Sequence, residues 1–376
     1  MTTQHQTSQH QTSKVLVHGG QLNKMAKHYQ IPVNKWLDLS TGISPLSYPI
    51  PEIPTAIWQQ LPQENEALIA AAKKYYGTEN ISVTSGSQAV ISRLPTLFQA
   101  YLRQESMWQD GVTKKAADID VWLPKVGYKE HERAWCSAGF TCKQYQQLPS
   151  HEALTKHAIV VVINPNNPSG ELHQQRTLTA LLGALEKHRG WLIVDEAFMD
   201  VIEKNQSVIH LTQHKHLFVL RSVGKFFGLS GIRIGFLSAH SYWLEKLKQL
   251  ASPWEINGPA QFITEQALKD IDWQLAQKQK LTELATRLEQ LLVRYFIEPA
   301  SKLVRSQITI TGCDLFKTLI HPQAAELYIL FCRQGLYVRL CDEKNALRFG
   351  IPSQKQSMVL EKQLNMIART DCPYEY

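Results

Sequence analysis

Short, continuous apolar runs at residues 81–84, 120–123, 159–163, 192–194, 217–220 and 234–237 constrain this chain more than any other feature. A strand with one wet face alternates polar and apolar residues, whereas a strand buried on both faces reads as an unbroken apolar run. Helical patterns lie between the runs, at 64–76 before Gly77, at 88–104, and at 174–188 before Gly190. The reading is therefore an α/β fold: a mainly parallel sheet covered by helices.

The chain has 376 residues, more than the roughly 250–300 that one core serves, so two packed regions are expected. The texture changes near Ala251. Residues 258–295, dense in Gln, Lys, Leu and Ala, suggest extended helices, and a smaller α/β pattern follows around 327–332 and 337–340. The expected division is a flexible tail at 1–17, an N-terminal arm at 18–48, a large domain at 49–251 and a small C-terminal domain at 252–376. An apolar stripe of Leu281, Leu284, Leu288, Leu291 and Leu292 suits packing rather than a site.

Composition excludes several classes. The net charge of +7 is scattered and matches no nucleic-acid-binding signature, so it suits small anions better than nucleic acid. No apolar run approaches the ~20 residues that span a bilayer, and the polar N-terminus does not resemble an export signal, so no membrane and a cytoplasmic location are expected. Six cysteines (Cys136, Cys142, Cys313, Cys332, Cys341, Cys372) show no C-x-x-C pair and read as reduced thiols. His210, His214 and His216 have no Cys or carboxylate at ligand spacing, so they read as a solvated turn and no metal is expected.

Open α/β sheets bind ligands beyond the carboxyl ends of their strands, which puts weight on the residues after each run. Lys225 follows the run 217–220, with two Phe after it and Gly224, Gly228 and Gly231 around it. Desolvation there would lower an amine pKa. Ser85, Gly86 and Ser87 follow another run and open a helix, where free amides favour an anion. Asn164 to Gly170 sets Asn166 and Asn167 between prolines, and the run before Asp195 and Glu196 ends in two carboxylates that need partners.

These four segments, in this order, resemble the fold type I pyridoxal-phosphate enzymes. The resemblance implies a large domain with a mainly parallel seven-stranded sheet, a smaller α/β domain and a homodimer. It further implies that Lys225 carries pyridoxal 5'-phosphate covalently, that Asp195 pairs with the ring nitrogen, and that Asn167 bonds the ring's phenolic oxygen. Tyr128 would stack on the ring, and Ser85, Gly86, Ser87, Ser222 and Arg233 would cradle the cofactor phosphate. Arg348, in Asn345-Ala-Leu-Arg348-Phe-Gly, would fork onto a substrate carboxylate.

Finer features narrow the resemblance. Val17-His18-Gly19-Gly20, Trp36-Leu-Asp38-Leu-Ser40-Thr41-Gly42 and Asp195-Glu-Ala-Phe198-Met-Asp200 are similar to the threonine-phosphate decarboxylases of cobalamin biosynthesis. That likeness implies decarboxylation of O-phospho-L-threonine, a phosphorylated amino acid, with His18, Gly19, Gly42, Asn167, Arg339 and Arg348 at the substrate. His18 and Arg339 would read its phosphate. Aminotransferases of this fold usually have Tyr where Phe198 stands, which weighs against histidinol-phosphate aminotransferase, the alternative. A non-catalytic pyridoxal-phosphate-binding module is a second alternative, opposed by the retention of Lys225, Asp195, Asn167 and Arg348.

Overall fold

The computed structural model describes residues 18–109 and 115–369. The tail at 1–17 and Cys372 lie outside the described residues. The N-terminal segment contributes β1 (Leu37–Asp38). The central sheet follows from β2 (Ile81–Thr84), β3 (Asp120–Pro124), β4 (Thr141–Tyr145), β5 (Ile159–Ile163), β6 (Trp191–Asp195), β7 (Leu217–Ser222) and β8 (Gly235–Ala239). Its order is β2-β8-β7-β6-β5-β3-β4. All pairings are parallel except those of β8, which is antiparallel to both neighbours.

Alternate residues of the central strands enter two different cores, as the two-residue repeat of a strand requires. Val160, Val162, Leu192 and Val194 face helices Glu66–Tyr76, Gln175–Lys187 and Gly258–Lys269. Ile159, Val161, Ile193 and Phe218 face helices Ser87–Gln109 and Ser241–Lys248. Burying each such side chain contributes about 1.5–3 kcal/mol, which explains why β5, Ile-Val-Val-Val-Ile, is apolar throughout.

A second sheet gathers β9 (Thr309–Cys313), β10 (Phe316–Ile320), β12 (Arg339–Leu340) and β13 (Ala346–Gly350), while β11 (Leu336–Tyr337) pairs in parallel with β1. Leu37 and Leu39 are thereby drawn into the core formed by Leu288, Leu292, Phe331, Leu347 and Phe349. The helix Ile271–Leu292 spans both regions, with Leu281 in the central core and Leu288 in the C-terminal one.

The two regions meet backbone to backbone at one point. A Cβ on Gly170 would lie 2.3 Å from Gly312 Cα, and both glycines have positive φ, +74° and +131°. Beside them Thr318 Oγ1 donates to Pro168 O at 2.6 Å.

One expectation about the thiols is corrected. Cys136 and Cys142 are joined as a disulfide, because the helix Glu130–Ser137 turns straight into β4 and brings their Cα atoms to 6.0 Å. Cys313, Cys332 and Cys341 are free and buried. Among the described residues no helix is long and apolar enough to cross a membrane.

Candidate active site

The carboxyl ends of β2, β3, β5, β6 and β7 open on a cavity of about 250 Å³. β8 runs the other way, so its amino end, preceded by Arg233, arrives at the same edge. The strand ends supply Gly86, Ser87, Tyr128, Asn167, Asp195, Ser222 and Lys225. The N-terminal segment brings His18, Gly19 and Gly42, and the C-terminal sheet brings Arg339 and Arg348. Residues from four parts of the chain thus converge.

Asp195 and Glu196 are successive, so they leave β6 on opposite sides. Asp195 enters the cavity. Its Oδ2 accepts from the His131 ring at 2.9 Å and its Oδ1 from the Ala197 amide at 3.1 Å. Glu196 turns away and accepts from Arg221 Nη1 at 2.7 Å and from Ser207 at 2.6 Å, while Arg221 Nη2 donates to Asp200 at 2.8 Å. This buried network ties the end of β6 to the end of β7, the strands that carry Asp195 and Lys225.

No described carboxylate forms an ion pair with Lys225, whose ammonium lies 5.5 Å from the centre of the Phe198 ring. Burial lowers its pKa to about 8, with Arg348 and Arg233 pushing the same way and Asp195 opposing them. A desolvated amine of this kind is suited to nucleophilic capture of an aldehyde.

Arg348 is also buried. It donates from Nη1 to Asn167 Oδ1 at 2.5 Å and from Nη2 to Ser40 O at 2.7 Å, and its Nε has no partner. Both acceptors are neutral. Burial lowers its pKa to about 10, and Arg339 adds to the effect. Arg339 stands directly opposite Arg348 across β12 and β13.

Other sequence-derived residues have partners already. His18 Nε2 donates to Glu130 Oε1 at 2.7 Å, and Arg339 Nη2 donates to Asp342 at 2.7 Å. The Tyr128 hydroxyl donates to Gln88 at 2.9 Å, and burial pushes its pKa up to about 12. Ser85 departs from expectation: it is absent from the cavity wall, and its hydroxyl donates to Glu255, which Arg93 also holds. The Ser85 hydroxyl is drawn away by Glu255, while its neighbours Gly86 and Ser87 line the cavity.

The residues present fit pyridoxal phosphate. Gly86, at φ +87°, leaves room where a Cβ would sit 3.1 Å from Arg233 Nη2. The open space at the start of helix Ser87–Gln109, with Ser222 and Arg233 beside it, suits a phosphate. A carboxylate fixed by His131 suits a protonated ring nitrogen, and the amine suits the aldehyde.

Fold and cavity together are those of a fold type I pyridoxal-phosphate-dependent enzyme. The model of the class I and II aminotransferases matches residues 58–356, so the chain belongs to that family. It is 35% identical over 341 residues to threonine-phosphate decarboxylase of Pseudomonas aeruginosa, covering 91% of this chain and 94% of that protein. The same-named protein of a Sinorhizobium species is 31% identical over 88% of this chain and 91% of its own length. Histidinol-phosphate aminotransferase of Vibrio vulnificus is 27% identical over 57% of this chain and 59% of its own length. The fold matches that of the Sinorhizobium meliloti histidinol-phosphate aminotransferase solved with pyridoxal-5'-phosphate, with a TM-score of 0.74 at 16% identity, covering 97% of this chain and 99% of that one.

Proposed function

We propose that this chain decarboxylates O-phospho-L-threonine to (R)-1-aminopropan-2-yl phosphate, as a cytoplasmic homodimer serving cobalamin biosynthesis. The observation that carries the reading is the pair of arginines facing each other across β12 and β13 in one cavity with Lys225. Two cations there call for two anions besides the cofactor phosphate. Phosphothreonine carries a carboxylate and a phosphate on one molecule, whereas an aminotransferase acting on histidinol phosphate and 2-oxoglutarate meets the two groups on separate molecules. The names of the relatives that match nine-tenths of the chain support the same choice, as does Phe198 where aminotransferases usually carry a tyrosine.

Lys225 would bind pyridoxal phosphate covalently, Asp195 would hold its ring nitrogen, Asn167 its phenolic oxygen and Tyr128 its face. Gly86, Ser87, Ser222 and Arg233 would hold its phosphate. When bound, the cofactor supplies an electron sink for the pair left on Cα as carbon dioxide departs. Arg348 binds the substrate carboxylate. Its fork is fixed by Asn167 and Ser40, so it would fix the direction in which the carboxylate projects from Cα. Lys225, once its amine is free, would hold a proton at Nζ and deliver it to Cα in place of the departed carboxylate. Phe198, Gly42 and Phe316 close the wall behind it and keep water out. Arg339 and His18 take the substrate phosphate in place of Asp342 and Glu130.

The test is carbon dioxide release from phosphothreonine with no keto acid present. Turnover confined to histidinol phosphate plus 2-oxoglutarate would make the chain an aminotransferase instead.

A further inference from the structure

We propose that Asp342 is a built-in stand-in for the substrate phosphate: it holds Arg339 until substrate arrives and must release it before the substrate can dock. The proposal rests on the reading of Arg339 as the phosphate partner. Like charges directly opposite on neighbouring strands destabilise a sheet. Arg339 and Arg348 are such a pair, and Arg348 has only neutral acceptors. One carboxylate on Arg339 relieves that conflict while no substrate is present.

The position of Asp342 suits exchange. It lies in the tight turn between β12 and β13, closed by Cys341 N to Ala346 O and by Lys344 N to Cys341 O, each 2.9 Å. Carboxylate and guanidinium therefore ride on the same hairpin, and release needs only side-chain rotation. The Arg339 side chain is 18% exposed and that of Asp342 41%. Asp342 is thus the outer partner. Once displaced, its charge turns into water, whereas the arginine stays in the cavity and meets the incoming anion.

A half-exposed ion pair is a weak competitor, and that is what an exchangeable stand-in requires. Pairs of this kind contribute up to about 1 kcal/mol, equivalent to roughly a fivefold change in affinity. Phosphate carries twice the charge of a carboxylate and more acceptor oxygens, so it wins the arginine, and the lost pair appears as a higher KM.

The test compares the holoenzyme with Asp342→Asn, Asp342→Ala, Arg339→Ala and the Arg339→Ala/Asp342→Asn double variant. The readouts are the KM for phosphothreonine and the inhibition constant of inorganic phosphate. Either Asp342 variant should lower both constants about two- to fivefold, and the double variant should match Arg339→Ala alone. An unchanged or raised KM in both Asp342 variants, with Arg339→Ala still raising it, overturns the stand-in and leaves the phosphate reading intact. If Arg339→Ala also leaves both constants at wild-type values, the phosphate reading fails and the stand-in falls with it.

Discussion

The two ends of the cavity are built on different principles. At the cofactor end, Asp195, Glu196 and Arg221 are held by buried partners from the helix Glu130–Ser137, from β7 and from the turn after β6. At the proposed substrate end, His18 and Arg339 are held by Glu130 and Asp342, and both pairs reach solvent. The first end is held by protein groups alone. The second, in the proposed function, trades partners when phosphate binds. Substitutions at the cofactor end should therefore affect every substrate alike, and those at the substrate end should depend on which anion is offered.

Lys225→Ala is the most severe way to probe that contrast. It should end covalent cofactor attachment, seen as loss of the yellow colour after desalting, and lower turnover by a factor on the order of 10⁴. A variant that stays yellow after desalting would remove Lys225 from its role. Next, Glu196→Gln removes one of the two buried carboxylates that hold Arg221 and leaves Asp200 alone to balance it. Breaking a buried pair costs about 3–5 kcal/mol, so the melting temperature of the cofactor-free protein should fall by several degrees.

Arg348→Ala should separate the two ends. The lost charge-assisted bond weakens phosphothreonine binding about ten- to a hundredfold. The melting temperature of the cofactor-free protein should hold or rise, since a buried cation with neutral acceptors is removed. A drop as large as that of Glu196→Gln would assign Arg348 to the permanent scaffold.

The smallest effect is in pH. A lysine is a nucleophile only when neutral, and with a pKa lowered to about 8 the neutral form dominates above that value. Uptake of pyridoxal phosphate by the cofactor-free protein should accelerate as pH rises through about 8 and then level off. At pH 7 the neutral fraction is a few hundredfold larger than for a lysine at its ordinary value. A midpoint near that ordinary value would mean that Lys225 is solvated.

The same contrast governs what could be seen in the sequence. The cofactor end hangs on strands buried on both faces, and β2 and β5 lie where their apolar runs predict. β4 has the edge-strand sequence Thr-Cys-Lys-Gln-Tyr with little burial, so no apolar run announces it. The helix Glu130–Ser137 is too polar and short to stand out in the sequence, and it carries Glu130 and His131, which hold His18 and Asp195. His131 lies three positions after Tyr128, close to one helical turn, and that spacing was the available signal. Asp342 opposite phosphate-reading chemistry, and Arg339 opposite Arg348, depend on hairpin register, which local composition does not report. Ser85 was misplaced because a hydroxyl beside a phosphate-binding turn looks the same in sequence whichever way its Cβ points.

The contact between Gly170 and Gly312 places a limit on engineering this enzyme. A side chain at Gly170 would occupy the space of the Gly312 backbone, and one at Gly312 would run into Phe316 O within its own sheet. A library randomised at both codons and selected for activity should return glycine at each. The loop bearing Asn167 and the sheet bearing Arg348 thus behave as a single machined part, and redesign of substrate preference has to work through the hairpin turn and the N-terminal segment.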